Sequence, residues 1–544
     1  MNTRQLQTDK NQKLYHALLG ILLVCALAMM MLLSYWACKY SYYGAVDGRT
    51  RGVLVGDKTW AHIAAFLAAS LCTIGIDKVL MKKDKSQQEK ICLRTLIVTS
   101  VIAFILGVFY VCKNPYYPVG DQINTTAFAA YCRDGNFIML SIGGYVGMYQ
   151  QQKGLGILYE ILFTLFGDFN YRPAKILHVV WWILTILAGY GFLKLNTDRP
   201  VFRMLYCVMM LGCFPLLFYL PYIYGDVLSI SFGIILFYGV AAYEHSGQKR
   251  YIALASFAAG LAVLARKNTW IVLVAVAVYA LLASLRKWKV RYLLAGTAIL
   301  LTAALSVKAV DVIYEVRSGY PSGVGIPSIL WVAMGLQETE GRAGVYNRYQ
   351  QATFTDYDCQ QELAAQQGKE YIRERLEEFS QDPGMAFDFF KNKLEGQWIE
   401  PMYAALESTE SFEEGAELSP VLESLYYGEL GNTIWKLTNY YQSILYLAGL
   451  MALVMLGILW WKKKEVPISL WLPWIAVFGG FLFSILWEAK SRYVFPYCVF
   501  MILYAPEGLY QMGLLLCKLP KLRKFKKSGQ TQDKGEEASL RETA

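Results

Sequence analysis

Four short polar stretches that interrupt long apolar runs hold the residues best suited to chemistry. Asn114-Pro115-Tyr116-Tyr117-Pro118-Val119-Gly120-Asp121-Gln122 leaves one apolar run and carries an acid just past its end. Tyr222-Ile223-Tyr224-Gly225-Asp226 separates two further runs, and Arg266-Lys267-Asn268 forms a tight break between two more. Trp487-Glu488-Ala489-Lys490-Ser491-Arg492-Tyr493 precedes the last run. A carboxylate held in a fixed turn can take the proton of an attacking hydroxyl as general base. Guanidinium and ammonium groups stabilise a departing phosphate, arginine with two parallel hydrogen bonds. Asp121 is therefore the candidate base, and Asp226 is a second acid in a comparable turn. Arg492, Lys490, Arg266 and Lys267 are candidates for holding the phosphate, and Tyr117, Tyr224, Glu488, Tyr493 and Lys153 for positioning a substrate. The competing assignment for any one of these bases is a salt bridge, for instance Glu488 with Arg492 at helical i,i+4 spacing.

Whether these groups can meet depends on the elements between them. The chain has 544 residues, 56% hydrophobic and only 17% charged, a balance far more apolar than that of ordinary soluble domains. It reads as an all-α polytopic membrane protein. Apolar runs near 16–36, 60–80, 92–112, 174–194, 204–220, 226–243, 251–265, 268–285, 292–312, 436–461, 468–487 and 493–513 predict about twelve spans. The first, Leu18–Trp36, reads as a retained helix rather than a cleaved signal, because Ala37-Cys38-Lys39 makes a poor cleavage site. Lys82–Arg94, Lys249-Arg250, Arg286–Arg291, Lys462–Lys464 and the tail Lys518–Lys527 hold the basic residues. Placing them on the cytoplasmic side puts Asp121 outside. This parity requires Gly154–Gly167, which is short and carries Glu160 at its centre, to lie along the interface instead of crossing.

Between Ile313 and Trp435 the composition changes: 21 acids face 8 Lys or Arg, a net charge of −13 in a chain of +10 overall. Helical spacing over Gln361–Phe379, a stop at Asp382-Pro383-Gly384 and a second helix at Met385–Trp398 predict a small helical outer subdomain. The expected organisation is an extra hairpin of two spans at 1–94 and a membrane core at 95–312, with a long outer loop at 113–172. The acidic insert at 313–435, terminal spans at 436–515 and a basic tail at 516–544 complete it; Ser528–Ala544 reads as disordered. The 11 cysteines show no CxxC pair, and His16, His62, His178 and His245 form no metal motif. His178 reads as a packed polar residue. Phosphate-loop, dinucleotide and nucleophile-elbow motifs are lacking, and the basic tail fits lipid headgroups better than nucleic acid.

The order of these features resembles the GT-C superfamily of integral membrane glycosyltransferases, above all bacterial relatives of glycosyltransferase family 39, the dolichyl-phosphate mannosyltransferase group. The resemblance covers roughly residues 95–510. It rests on Pro118-Val119-Gly120-Asp121 followed by Ala130 and Gly135, on Tyr149-Gln150-Gln151-Gln152-Lys153-Gly154-Leu155 leading into Phe163-Thr164-Leu165-Phe166-Gly167, and on the three later turns. Trp331-Val332-Ala333-Met334-Gly335-Leu336 and Gln397-Trp398-Ile399-Glu400-Pro401 also match. The resemblance implies a GT-C-like bundle of about twelve transmembrane helices, with interfacial helices in the outer loop after the third span. It also implies a polyprenyl-phosphate sugar as donor and inverting transfer to an extracytoplasmic cell-envelope polymer, lipid or protein, with Asp121 in the place of the family's loop aspartate and Asp226 as a second acid near the acceptor or donor sugar. No cofactor is implied; a divalent ion on an outer carboxylate cluster is conceivable, though the related mannosyltransferases point to none. Gln122 departs from the Asp-Glu pair usual in mannosyltransferases, which bears on the sugar more than on the fold. The implied location is the bacterial plasma membrane, with the site facing outward and lipids as surroundings. The alternative is a transporter or flippase of lipid-linked saccharide without catalysis, which predicts repeated halves that the sequence does not show. A scaffold subunit of an envelope complex is a third.

Overall fold

Backbone groups removed from water must be paired within their own segment, so long apolar runs in lipid close into helices. The computed structural model describes residues 3–46, 51–287 and 289–518. Among these, nine helices are long and apolar enough to cross a membrane: Asn11–Lys39, Thr59–Leu80, Lys85–Lys113, Arg172–Asn196, Asp226–Ser246, Lys267–Lys287, Arg291–Ser318, Glu429–Trp461 and Ile468–Leu486. The chain is a polytopic helical membrane protein. Val98, Ile105 and Phe109 on one peripheral helix and Leu294, Leu301 and Leu305 on another stay exposed, as lipid-facing side chains do.

Three of the expected spans are not single long helices. The run at 204–220 divides into Pro200–Leu211 and Phe214–Phe218, because Pro215 lacks an N–H and its ring excludes a continuous turn. Lys249–Ala265 has only 17 residues; it packs against both Asp226–Ser246 and Arg291–Ser318. The last run is bent by 60° between Ser491–Met501 and Ala505–Lys518, and counts as a tenth span if the two halves are taken together.

The first two spans are no appendage. Asn11–Lys39 packs along Glu429–Trp461, where Gly449 and Gly457 seat Met30 and Leu23. Between the two spans, Tyr40–Val46 pairs antiparallel with Arg51–Gly56, a hairpin the apolar pattern had not announced. It is tied to the rest of the molecule by Tyr42 N–H donating to the Ile399 carbonyl at 3.1 Å and Trp435 Nε1–H donating to the Tyr42 carbonyl at 3.2 Å.

The acidic insert follows the sequence closely. Gln361–Gln381 and Pro383–Trp398 are its two long helices, and Asp382 caps the second by accepting from Met385 N–H at 2.9 Å. In the loop after Lys85–Lys113, the helices Asp121–Arg133 and Gln152–Phe166 lie side by side. The second is 15 residues long and is not among the candidate spans. Its Glu160 pairs with Arg317 at 2.6 Å and accepts from Tyr314 O–H at 3.1 Å. His178 is buried with Nδ1 2.9 Å from the Leu220 carbonyl, as a packed polar residue should be. Most of the basic tail, including Ser528–Ala544, lies outside the described residues.

Candidate functional site

Both candidate acids arise from the same local device, a glycine followed by the first residue of a helix. Gly120 has φ +57° and ψ −126°, a conformation open to glycine and strained for other residues. It turns the chain so that Asp121 opens Asp121–Arg133, where unpaired backbone N–H groups favour an anionic side chain. Asp121 is exposed, and Tyr145 O–H donates to its Oδ1 at 3.0 Å. Burial, reinforced by Tyr224 and Asp121, holds the Tyr145 phenol well above its ordinary pKa, so it remains a donor. The neighbouring Gln122 turns inward instead, accepting from Tyr116 O–H through Oε1. The position following Asp121 therefore serves the fold.

Gly225 precedes Asp226 for a different reason: a Cβ there would lie 2.0 Å from the Ala265 carbonyl oxygen. Its absence lets the end of Lys249–Ala265 touch the start of Asp226–Ser246. Asp226, 2% exposed, forms an ion pair with Arg266, and Arg492 Nε lies 4.0 Å from the same carboxylate oxygen. The other oxygen, Oδ2, is buried without a hydrogen-bond partner among the described residues. Lys490 is close enough for its charge to act on Asp226. Arg266 lies over the rings of Tyr224 and Tyr493, each at 5.4 Å, and Arg492 over Tyr222 and Tyr224 at 5.2 and 5.3 Å. Glu488 and Arg492 do not share a helix, because the helix starts only at Ser491. Glu488 accepts from Tyr493 O–H at 3.3 Å.

Two open clefts meet above these cations. One is lined by Tyr224, Arg266, Lys267, Asn268, Trp331 and Trp487, among others, and opens to solvent. The second, of about 630 Å³, has Lys153, Lys267 and Asp311 at its polar end and Val263, Leu264 and Val307 below. Lys267 and Gln151 line both. Tyr224 lies between the cations and Asp121 in charge terms: both Asp121 and Arg266 act electrostatically on its hydroxyl, the first raising and the second lowering its pKa. Burial is the larger cause, and the phenol stays above its ordinary value. Gln152 Nε2–H donates to that hydroxyl.

The folded chain thus assembles Asp226, Arg266, Lys490, Arg492, Tyr224, Tyr493 and Glu488, with Asp121 within electrostatic reach through Tyr224 and Lys267 on the rim. Lys153 stands apart in the second cleft, bound to Asp311 at 3.2 Å and Ser322 Oγ at 2.7 Å. Tyr117 packs edge-on against Tyr171 at 5.9 Å and does not line the first cleft. Tyr145 carries no signal of a site in the sequence, while Gln152, Trp331 and Trp487 stand there only inside motifs, without a role. Aromatic residues at membrane edges are too common for a single one to signal a site.

Searches against protein-family models, curated proteins and solved structures find no match to this chain.

Proposed function

We propose that the chain is a GT-C-type membrane glycosyltransferase that moves a sugar from a polyprenyl-phosphate donor to an extracytoplasmic acceptor. The observation that carries this reading is an exposed carboxylate, Asp121, in whose electrostatic range lies a Tyr224 ring covered by two guanidinium groups that share a single acid. In the reaction, an acceptor hydroxyl oxygen attacks the anomeric carbon as the bond from that carbon to the phosphate oxygen breaks. The electron pair stays with the phosphate, whose growing charge Arg266, Arg492 and Lys490 stabilise, with Lys267 at the rim. The proton goes to Asp121, whose carboxylate the Tyr145 hydroxyl orients. Attack opposite the leaving group inverts the anomeric centre.

In this reading the broken 200–218 segment, the short Lys249–Ala265 helix and the bent terminal pair bring the crossings to about twelve. The basic loops face the cytoplasm and the clefts face outward. The acidic insert covers the outer surface.

The test is transfer by purified protein in liposomes supplied with polyprenyl-phosphate sugars and envelope acceptors. Asp121→Asn is expected to insert and fold normally and to lose transfer. Near wild-type product from that variant would remove the assigned base, and lipid movement without transfer would favour a flippase.

A further inference from the structure

We infer that Trp331 and Trp487 form a platform on which the donor sugar lies between Asp121 and the cations, so that these indoles set which sugar is accepted. The inference rests on the glycosyl-transfer reading above. The two rings are parallel within 4° with centroids 6.0 Å apart, half-buried, and line the same cleft as Arg266 and Lys267. Phe483 backs Trp487 at 5.0 Å, and Tyr149 meets Trp331 edge-on at 6.2 Å. Tyr149 in turn adjoins Tyr145 at 5.2 Å, the residue that donates to Asp121. An aromatic wall therefore runs from the base to the turn that carries Arg492.

Two distant parts of the chain are clamped together to build it. Trp331 belongs to Ser328–Gly335, at the start of the acidic insert, whereas Trp487 belongs to the turn before the last run. A Cβ on Gly335 would lie 2.3 Å from the Leu486 carbonyl oxygen, so the insert helix can approach Trp487 only because residue 335 is glycine. Ala489 N–H donates to the Gly344 carbonyl at 2.7 Å, and buried Lys393 holds the Gly335 carbonyl.

A flat apolar wall in a polar cleft suits a ligand with an apolar face and a polar edge. The C–H face of a pyranose packs against the electron-rich face of an indole, and its hydroxyls find amide and hydroxyl partners in Gln151, Asn268 and Ser328 on the same cleft. No comparable aromatic pair lines the second cleft, whose apolar lining is aliphatic except for Trp270.

The test compares binding of farnesyl phosphate, farnesyl-phosphate mannose and farnesyl-phosphate glucose to the full chain in detergent by calorimetry. Wild type is expected to bind at least one sugar-bearing lipid about 3- to 10-fold more tightly than farnesyl phosphate. Trp331→Leu should lose that increment while keeping its affinity for farnesyl phosphate, and Trp331→Phe should recover most of it. An increment preserved in Trp331→Leu, or none in wild type, would overturn the platform and leave the transferase reading standing. Failure of wild type to bind any of the three lipids would overturn both.

Discussion

Asp121 is the residue whose change should alter chemistry and spare packing, because it is exposed and its carboxylate is held at the surface by the Tyr145 phenol. Loss of a general base lowers such rates by roughly 10²- to 10⁴-fold, which is the fall expected for Asp121→Asn in the transfer assay. Tyr145→Phe removes one hydrogen bond to a charged acceptor and should lower kcat about 10-fold with KM little changed, read from initial rates. The acids and bases were legible in the sequence because charged residues stand out at the ends of apolar runs, where burial without pairing is costly. Tyr145 and Trp331 were not legible as site residues, since only the fold brings Tyr145 to Asp121 and Trp331 to Trp487.

The start of Asp226–Ser246 and the end of Lys249–Ala265 meet at a contact with no room for a side-chain carbon. Gly225→Ala should separate them and destabilise the protein by about 1–3 kcal/mol, seen as a lower melting temperature in detergent together with reduced transfer. Arg266→Met leaves Asp226 buried beside a weakened partner set and should cost roughly 3–5 kcal/mol. Adding Asp226→Asn to that variant should restore much of the melting temperature without restoring transfer. Where a stop signal and a helical period agreed, as at Asp382-Pro383-Gly384, the sequence placed the element within a few residues. The 204–220 run was read as one span although Pro215 marks the break. The 40–56 hairpin was passed over because its alternation is too short to compete with the apolar runs around it.

Over the whole molecule, an acidic insert is joined to a basic membrane bundle, and Lys393 sits at the joint. Its ammonium is 1% exposed. Burial pushes it down to about 7 from an ordinary 10.5, against the opposing pull of Glu488. Between those two values the unfolded chain keeps a proton that the folded chain has released, so stability rises with pH across that window. The melting temperature of wild type relative to Lys393→Met should therefore climb between pH 7 and 9, and a constant difference would contradict this account of the joint. The polytopic helical character was evident from composition alone. The seating of the first two spans against Glu429–Trp461 was not, because packing of helices through Gly449 and Gly457 leaves little trace in hydropathy.

In the proposed reaction, Asp121 and the Arg266–Arg492 pair serve one bound sugar-phosphate. The most direct measurement is an electron-microscopy map of the protein with a farnesyl-phosphate sugar bound. The expected map shows a phosphate between Arg266 and Arg492 with the anomeric carbon turned toward Asp121. A phosphate held on the opposite face of the bundle, or an anomeric carbon with no open path to Asp121, would contradict it.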